Sequence, residues 1–314
     1  MKVWWKILLD KLHQQKTIEL DCRPHIINFK TNAQNFKIYY SVKNTANGNF
    51  PHFGITAREG IHLLYRYQNT KNWFNVDAFS SRNSPISVNM KHIIKENEEY
   101  EILIYEPLLS EVSELKIEIP KNYEIEYLEN KKDKTILIAG GAHSFGIGCT
   151  ACGVMFPNIL GRKLDYNIHN VSFNRRNFLE FTYKYFKNNK HPKFELGILE
   201  LDHILQYDEI FDEYAEKVIQ QIKTNTDKLI CWYAIPKTAD KKHAKLKKLI
   251  ENYSKDKKIK IVDLSFIYDD EYSDMCTHSK NYINDTGNIM IYKKLEKIIT
   301  TSEFTKGRRK IWNI

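Results

Sequence analysis

Between Ile136 and Leu164 the chain reads ILIAGGAHSFGIGCTACGVMFPNILGRKL, and this stretch concentrates residues able to do chemistry. An apolar strand breaks at Gly140-Gly141 and a helix resumes near Phe156. A turn between strand and helix can lift a nucleophile out of the backbone for attack. Ser144, in Ala142-His143-Ser144-Phe145-Gly146, has the spacing of a G-x-S-x-G elbow with alanine at the first glycine. His278 would then serve as base and Asp274 or Asp202 would orient it. The competing reading is a Ser144 hydroxyl that caps the next helix.

The same segments carry soft ligands. Cys149-Thr150-Ala151-Cys152 is a C-x-x-C and Cys276-Thr277-His278 a C-x-H, with His143 and His203 in neighbouring loops. Cys149, Cys152 and Cys276 with a histidine could build a zinc or other transition-metal site, or a redox pair. Buried cysteines acting as small apolar residues explain the same pattern, and Cys22 and Cys231 read that way. Arg175-Arg176 reads either as a solvated helix start or as a clamp for a carboxylate or phosphate. Tyr268–Asp274, YDDEYSD, is a solvated acidic loop or a cation-binding rim.

Those residues need a scaffold. The chain has 314 residues, 42% hydrophobic and 13% aromatic, enough for a large core and too apolar for global disorder. Net charge is +9, but the basic runs Lys241–Lys248 and Lys306–Lys310 are dispersed, which argues against a nucleic-acid footprint. Val3, Trp4, Ile7, Leu8 and Leu12 have the spacing of a short amphipathic helix over 1–16. No apolar run is long enough to cross a bilayer. Five cysteines without a secretion signal predict a reducing, cytoplasmic setting.

Residues 17–120 read as short strands, among them KTIELD, FKIYYSV, GIHLLYRY, WFNVDAF, EYEILIY and LKIEIP. Turn clusters such as Asn44-Thr45-Ala46-Asn47-Gly48 separate them, which predicts a jelly-roll-like β-sandwich. A polar linker is expected over 121–134. From 135 to 314, apolar strands alternate with helical segments such as Asp208–Lys223 and Asp240–Asn252. That pattern predicts an α/β unit with a parallel sheet, its site at the carboxyl ends of the strands.

The second half resembles the SGNH/GDSL hydrolase superfamily, in the subgroup that adds an N-terminal GxDLY-type β-domain. GGAHSFGIGCTACGVMFPNILGRKL follows that subgroup's first block without a gap through Gly140, Gly146, Gly153, Pro157, Ile159, Leu160, Gly161 and Arg162. Gly60-Ile61-His62-Leu63-Leu64-Tyr65 is a loose form of its N-terminal motif, with His62 where Asp is usual. The resemblance implies a flavodoxin-like three-layer SGNH domain and acyl-ester chemistry, often deacetylation of carbohydrates. It also puts Ala142 at the nucleophilic serine, Arg175 at the oxyanion-hole glycine, Ile204 at the oxyanion-hole asparagine, Ser279 at the supporting aspartate and Tyr282 at the catalytic histidine.

A methyl group cannot attack a carbonyl. Three readings follow: a repurposed enzyme acting on an acylated or amide-bearing small molecule, peptide or sugar; a catalytically silent pseudo-hydrolase that holds such a ligand; or an esterase whose nucleophile is Ser144, or whose serine was mutated to Ala142. Asn174, Arg175 and Asp274 are the expected binding residues. His143, Asp202, His203 and Tyr282 are expected to face Arg175 across a pocket for a polar or anionic ligand.

Overall fold

The computed structural model describes residues 5–8, 15–20, 26–43, 52–129 and 132–301. They fall into two compact units, 1–131 with 150–153, and 132–149 with 154–314.

Among the described residues the first unit holds ten strands: β1 (Trp5–Leu8), β2 (Gln15–Leu20), β3 (Ile26–Thr31), β4 (Asn35–Lys43), β5 (Ile61–Tyr67), β6 (Phe74–Phe79), β7 (Ile86–Asn89), β8 (Tyr100–Tyr105), β9 (Glu111–Pro120) and β10 (Ile125–Tyr127). They form two five-stranded antiparallel sheets, β1-β2-β9-β4-β7 and β10-β3-β8-β5-β6, and a short helix α1 (Ile55–Glu59) precedes β5. Alternation drives the layering: in β3, and in β9 from Leu115 onward, every second residue is buried, as a sheet with one core-facing side requires. Ile27 and Phe29, Ile38, Ile61 and Leu63, Ile102 and Ile104, and Ile117 meet in one apolar core drawn from both sheets.

Two boundaries differ from the sequence reading. Trp5–Leu8 is a strand paired with Gln15–Leu20, not part of a helix over 1–16. Short apolar runs rich in Trp and Ile fit either period, and pairing with a neighbour selects the strand. Ile125–Tyr127 inside the expected linker pairs with β3, so the unit extends to Lys131. The turn at 44–48, Cys22 and the basic run 306–310 lie outside the described residues.

The second unit has a parallel sheet in the order β12-β11-β13-β14-β15, built from β11 (Thr135–Gly140), β12 (Asn167–Ser172), β13 (Phe194–His203), β14 (Thr226–Ala234) and β15 (Ile259–Asp263). After β11 come α2 (Ala142–Phe145) and α3 (Phe156–Leu164). Then follow α4 (Phe178–Asn188), α5 (Asp208–Asn225), α6 (Asp240–Tyr253), α7 (Ser273–Cys276), the hairpin β16 (Thr277–His278) and β17 (Tyr282–Ile283), and α8 (Asp285–Thr300). Strand side chains alternate between two cores. Leu137, Leu199 and Leu229 pack with α4, α5 and α6, while Ile136, Ile198 and Ile230 pack with α3 and α8. The result is three layers, with all five strands ending on one edge. No described helix is long and apolar enough to cross a membrane.

His62, at the Asp position of the N-terminal motif, is buried in the first unit. Its Nδ1 accepts the Gly153 N–H at 3.0 Å and its Nε2 lies 2.6 Å from Asn75 Oδ1. Replacing it with leucine strands both partners, so His62→Leu should lower stability by about 1–3 kcal/mol, read as a fall in the denaturation midpoint at unchanged m-value.

Candidate functional site

The carboxyl edge of the sheet is organised by a residue the sequence reading passed over. Glu200 lies near the end of β13, fully buried, just before an irregularity in the β13–β14 register. Its Oε2 accepts the backbone N–H of Gly141 at 3.0 Å and of Ser144 at 2.8 Å. The turn from β11 into α2 has Gly141 at its N-cap and therefore no capping side chain of its own; Glu200 supplies the missing acceptor from the adjacent strand. The fit is close. A Cβ on Gly140 would come within 2.5 Å of Ser144 Oγ and 2.6 Å of Glu200 Cβ, and one on Gly141 within 2.6 Å of His203 Nε2.

The other carboxylate oxygen faces two imidazoles. His143 Nδ1 is 3.4 Å from Glu200 Oε1 and His203 Nε2 is 4.0 Å from it. Tyr268 Oη contacts His143 Nε2 at 3.2 Å, and Phe178 stacks on the His203 ring at 5.2 Å. Burial pushes the Glu200 carboxyl up to about 7, against the pull of its N–H donors. Burial also pushes His143 down to about 4 and His203 well below its usual range. Both rings are thus neutral near pH 7. Leu205 N–H donates to His203 Nδ1 at 3.1 Å, so the proton of the neutral ring resides on Nε2.

Above this layer is a cavity of roughly 160 Å³ lined by Ala142, Asn174, Arg175, Arg176, His203, Leu205 and Tyr282. Ala142 is 4% exposed, at the first position of α2. Arg175 and Arg176 are exposed, and each guanidinium lies over a ring: Arg175 Cζ is 5.0 Å from Phe181, Arg176 Cζ 5.6 Å from Tyr207. Of the expected residues, the structure brings Ala142, Asn174, Arg175, His203 and Tyr282 together.

It places the others elsewhere. His143 points beneath the turn to Glu200 and Tyr268. Asp202 faces Lys242 of α6 at 3.3 Å instead of Arg175. Burial pushes the Asp202 carboxyl up to about 7, with Lys242 opposing. The Lys242 ammonium also donates to the carbonyls of His203 and Gln206, tying down the loop that carries His203. Ser144 is fully buried, its hydroxyl over Gly140 beside Glu200 and away from the cavity. His278 Nε2 faces the Gly148 carbonyl at 3.1 Å, and Asp274 is exposed on α7, so the expected Ser144–His278 pair is not assembled.

The cysteine set is not assembled either. Cys152 packs with Leu64, Leu103 and Tyr105 of the first unit. Cys276 packs in the second unit with its Sγ 3.2 Å from Met290 Sδ, and Cys149 is buried. Among the described residues no group of three His, Cys, Asp or Glu is placed to hold a metal ion. The His143, Glu200, His203 group has the residue types, but a neutral His203 presents N–H at Nε2, a donor and not a ligand lone pair.

Residues 25–125 match the family described as GxDLY, the N-terminus of SGNH-hydrolase-type esterases. The chain has the fold of the SGNH/GDSL superfamily. A Bacteroides ovatus protein described as a GDSL-like lipase superposes with a TM-score of 0.68 at 17% identity, over 93% of this chain and 85% of that one. A salicylyl-acyltransferase from a tetracycline biosynthetic pathway gives 0.53 at 10% identity, over 89% and 81%. A family two carbohydrate esterase from Cellvibrio japonicus gives 0.52 at 10% identity, over 95% of each chain. Comparison with curated proteins returns no sequence match.

The signal for Glu200 was a carboxylate inside the otherwise apolar run LGILEL; Lys242 and Tyr268 carried none. Glu200→Ala should destabilise the second unit by about 3 kcal/mol or more, since two buried N–H groups lose their acceptor. The folded chain keeps the Glu200 proton to about pH 7, whereas an exposed glutamate releases it near 4.5. This group's contribution is therefore present in full below that lower value and lost as pH rises through about 7. Melting temperatures should accordingly shift in favour of Glu200→Gln, relative to the native chain, between about pH 5 and about pH 8. Lys242→Met, which leaves Asp202 buried without its cation, should lower the melting temperature more at pH 8 than at pH 5, both approximate set points.

Proposed function

We propose that this SGNH-hydrolase-like chain holds a small-molecule, peptide or glycan ligand at the end of β11 without forming an acyl-enzyme. One observation carries the reading: the side chain at the head of α2, facing the cavity, is the Ala142 methyl. A methyl has no lone pair to attack a carbonyl. A rebuilt hydrolase would need a base at the cavity to activate water. His203 does not offer one, because its Nδ1 is occupied by the Leu205 N–H and its Nε2 bears the proton. The remaining lining groups are two guanidiniums, an amide, a phenol and a leucine. The acyl-transfer and carbohydrate-ester activities named for the similar structures favour an acylated or sugar-derived ligand, on a scaffold that hosts more than one function.

The purified protein should turn over generic p-nitrophenyl acyl esters no faster than buffer and take no label from a fluorophosphonate probe. Ala142→Ser alone should not confer labelling, because Tyr282 supplies no imidazole base. Labelling of the native chain that vanishes in Ser144→Ala would replace this reading with the elbow mechanism.

A further inference from the structure

The cavity at Ala142 is lined on its polar side almost entirely by donors. Arg175 and Arg176 contribute two permanent cations, Asn174 an amide and Tyr282 a phenol. No carboxylate lines it. The nearest acids are committed elsewhere: Glu200 to the Gly141 and Ser144 N–H groups, Asp202 to Lys242. Among the described residues neither Arg175 nor Arg176 has an ion-pair partner; each is steadied over an aromatic ring instead. His203 also lines the cavity; it is 1% exposed, its Nδ1 accepts the Leu205 N–H, and its Nε2 lies 4.0 Å from Glu200 Oε1.

We propose that this cavity binds the dianionic phosphoryl group of a phosphate monoester. Two guanidiniums among the lining side chains each carry paired N–H donors, so a group with three terminal oxygens and two charges can engage both. A carboxylate has one charge and two oxygens, and is used up by a single fork. A volume of roughly 160 Å³ has room for a phosphoryl group and the first atoms of its ester. The proposal rests on the binding reading above and names the ligand class for that same cavity.

The test is titration calorimetry of the full chain at about pH 8 with inorganic phosphate, acetate and methyl sulfate as probes. Phosphate should bind at least about tenfold more tightly than either monoanion, about 1.4 kcal/mol. Arg175→Ala and Arg176→Ala should each weaken phosphate binding by about tenfold or more, with Arg175→Lys and Arg176→Lys retaining an intermediate affinity. Both arginines are exposed, so unchanged circular dichroism and melting temperature are expected and confirm folding of each variant. Phosphate binding no tighter than acetate, or undiminished in the Arg175→Ala, Arg176→Ala double variant, overturns the assignment. Ester turnover or fluorophosphonate labelling would instead remove the binding reading on which it rests, so the two failures are distinguishable.

Discussion

A single buried carboxylate sets the geometry of the sheet's working edge. Glu200 is fully enclosed and must find donors, because an unpartnered carboxylate in that environment is strongly disfavoured. It finds them in the backbone of the neighbouring crossover, Gly141 and Ser144. That arrangement requires Gly140 and Gly141 to approach without side chains, and it turns the chain so that residue 142 heads the next helix. His143 and His203 are then held against the other carboxylate oxygen, one below the turn and one at the cavity wall.

The electrostatics separate into two layers. Below the turn, acids and imidazoles are sealed from water, and burial drives each toward its neutral form. Lys242 engages Asp202 in an ion pair of its own and also binds the carbonyls of His203 and Gln206. Above the turn, the Arg175 and Arg176 guanidiniums lie over Phe181 and Tyr207. A surface that was neutral or acidic at this edge would have none of that asymmetry.

The chain shares its fold with a described lipase, an acyltransferase and a carbohydrate esterase at 10–17% identity. Such likeness preserves layers and crossovers because the apolar periods survive heavy substitution. It does not preserve chemistry, which depends on the side chains of a few loop positions. In this chain the cavity at the end of β11 is lined by a methyl, two guanidiniums and a phenol, together with Asn174, His203 and Leu205.

Much of this was written locally. Short runs rich in β-branched and aromatic residues placed several strands of the first unit, and the change at Thr135 to apolar strands alternating with helices marked the parallel sheet, because burial on one or both faces leaves its imprint in adjacent residues. The position of Ala142 at the strand-to-helix turn, and of Arg175 after β12, followed from the same local order. Three things depended on contacts between distant segments. Trp5–Leu8 became a strand only through pairing with Gln15–Leu20. Ser144 and His278 were kept apart because one turned under Gly140 and the other toward Gly148. Glu200, far from residues 141–144 in sequence, became the anchor of their turn, since a hydrogen bond across adjacent parallel strands has no signature in either strand alone.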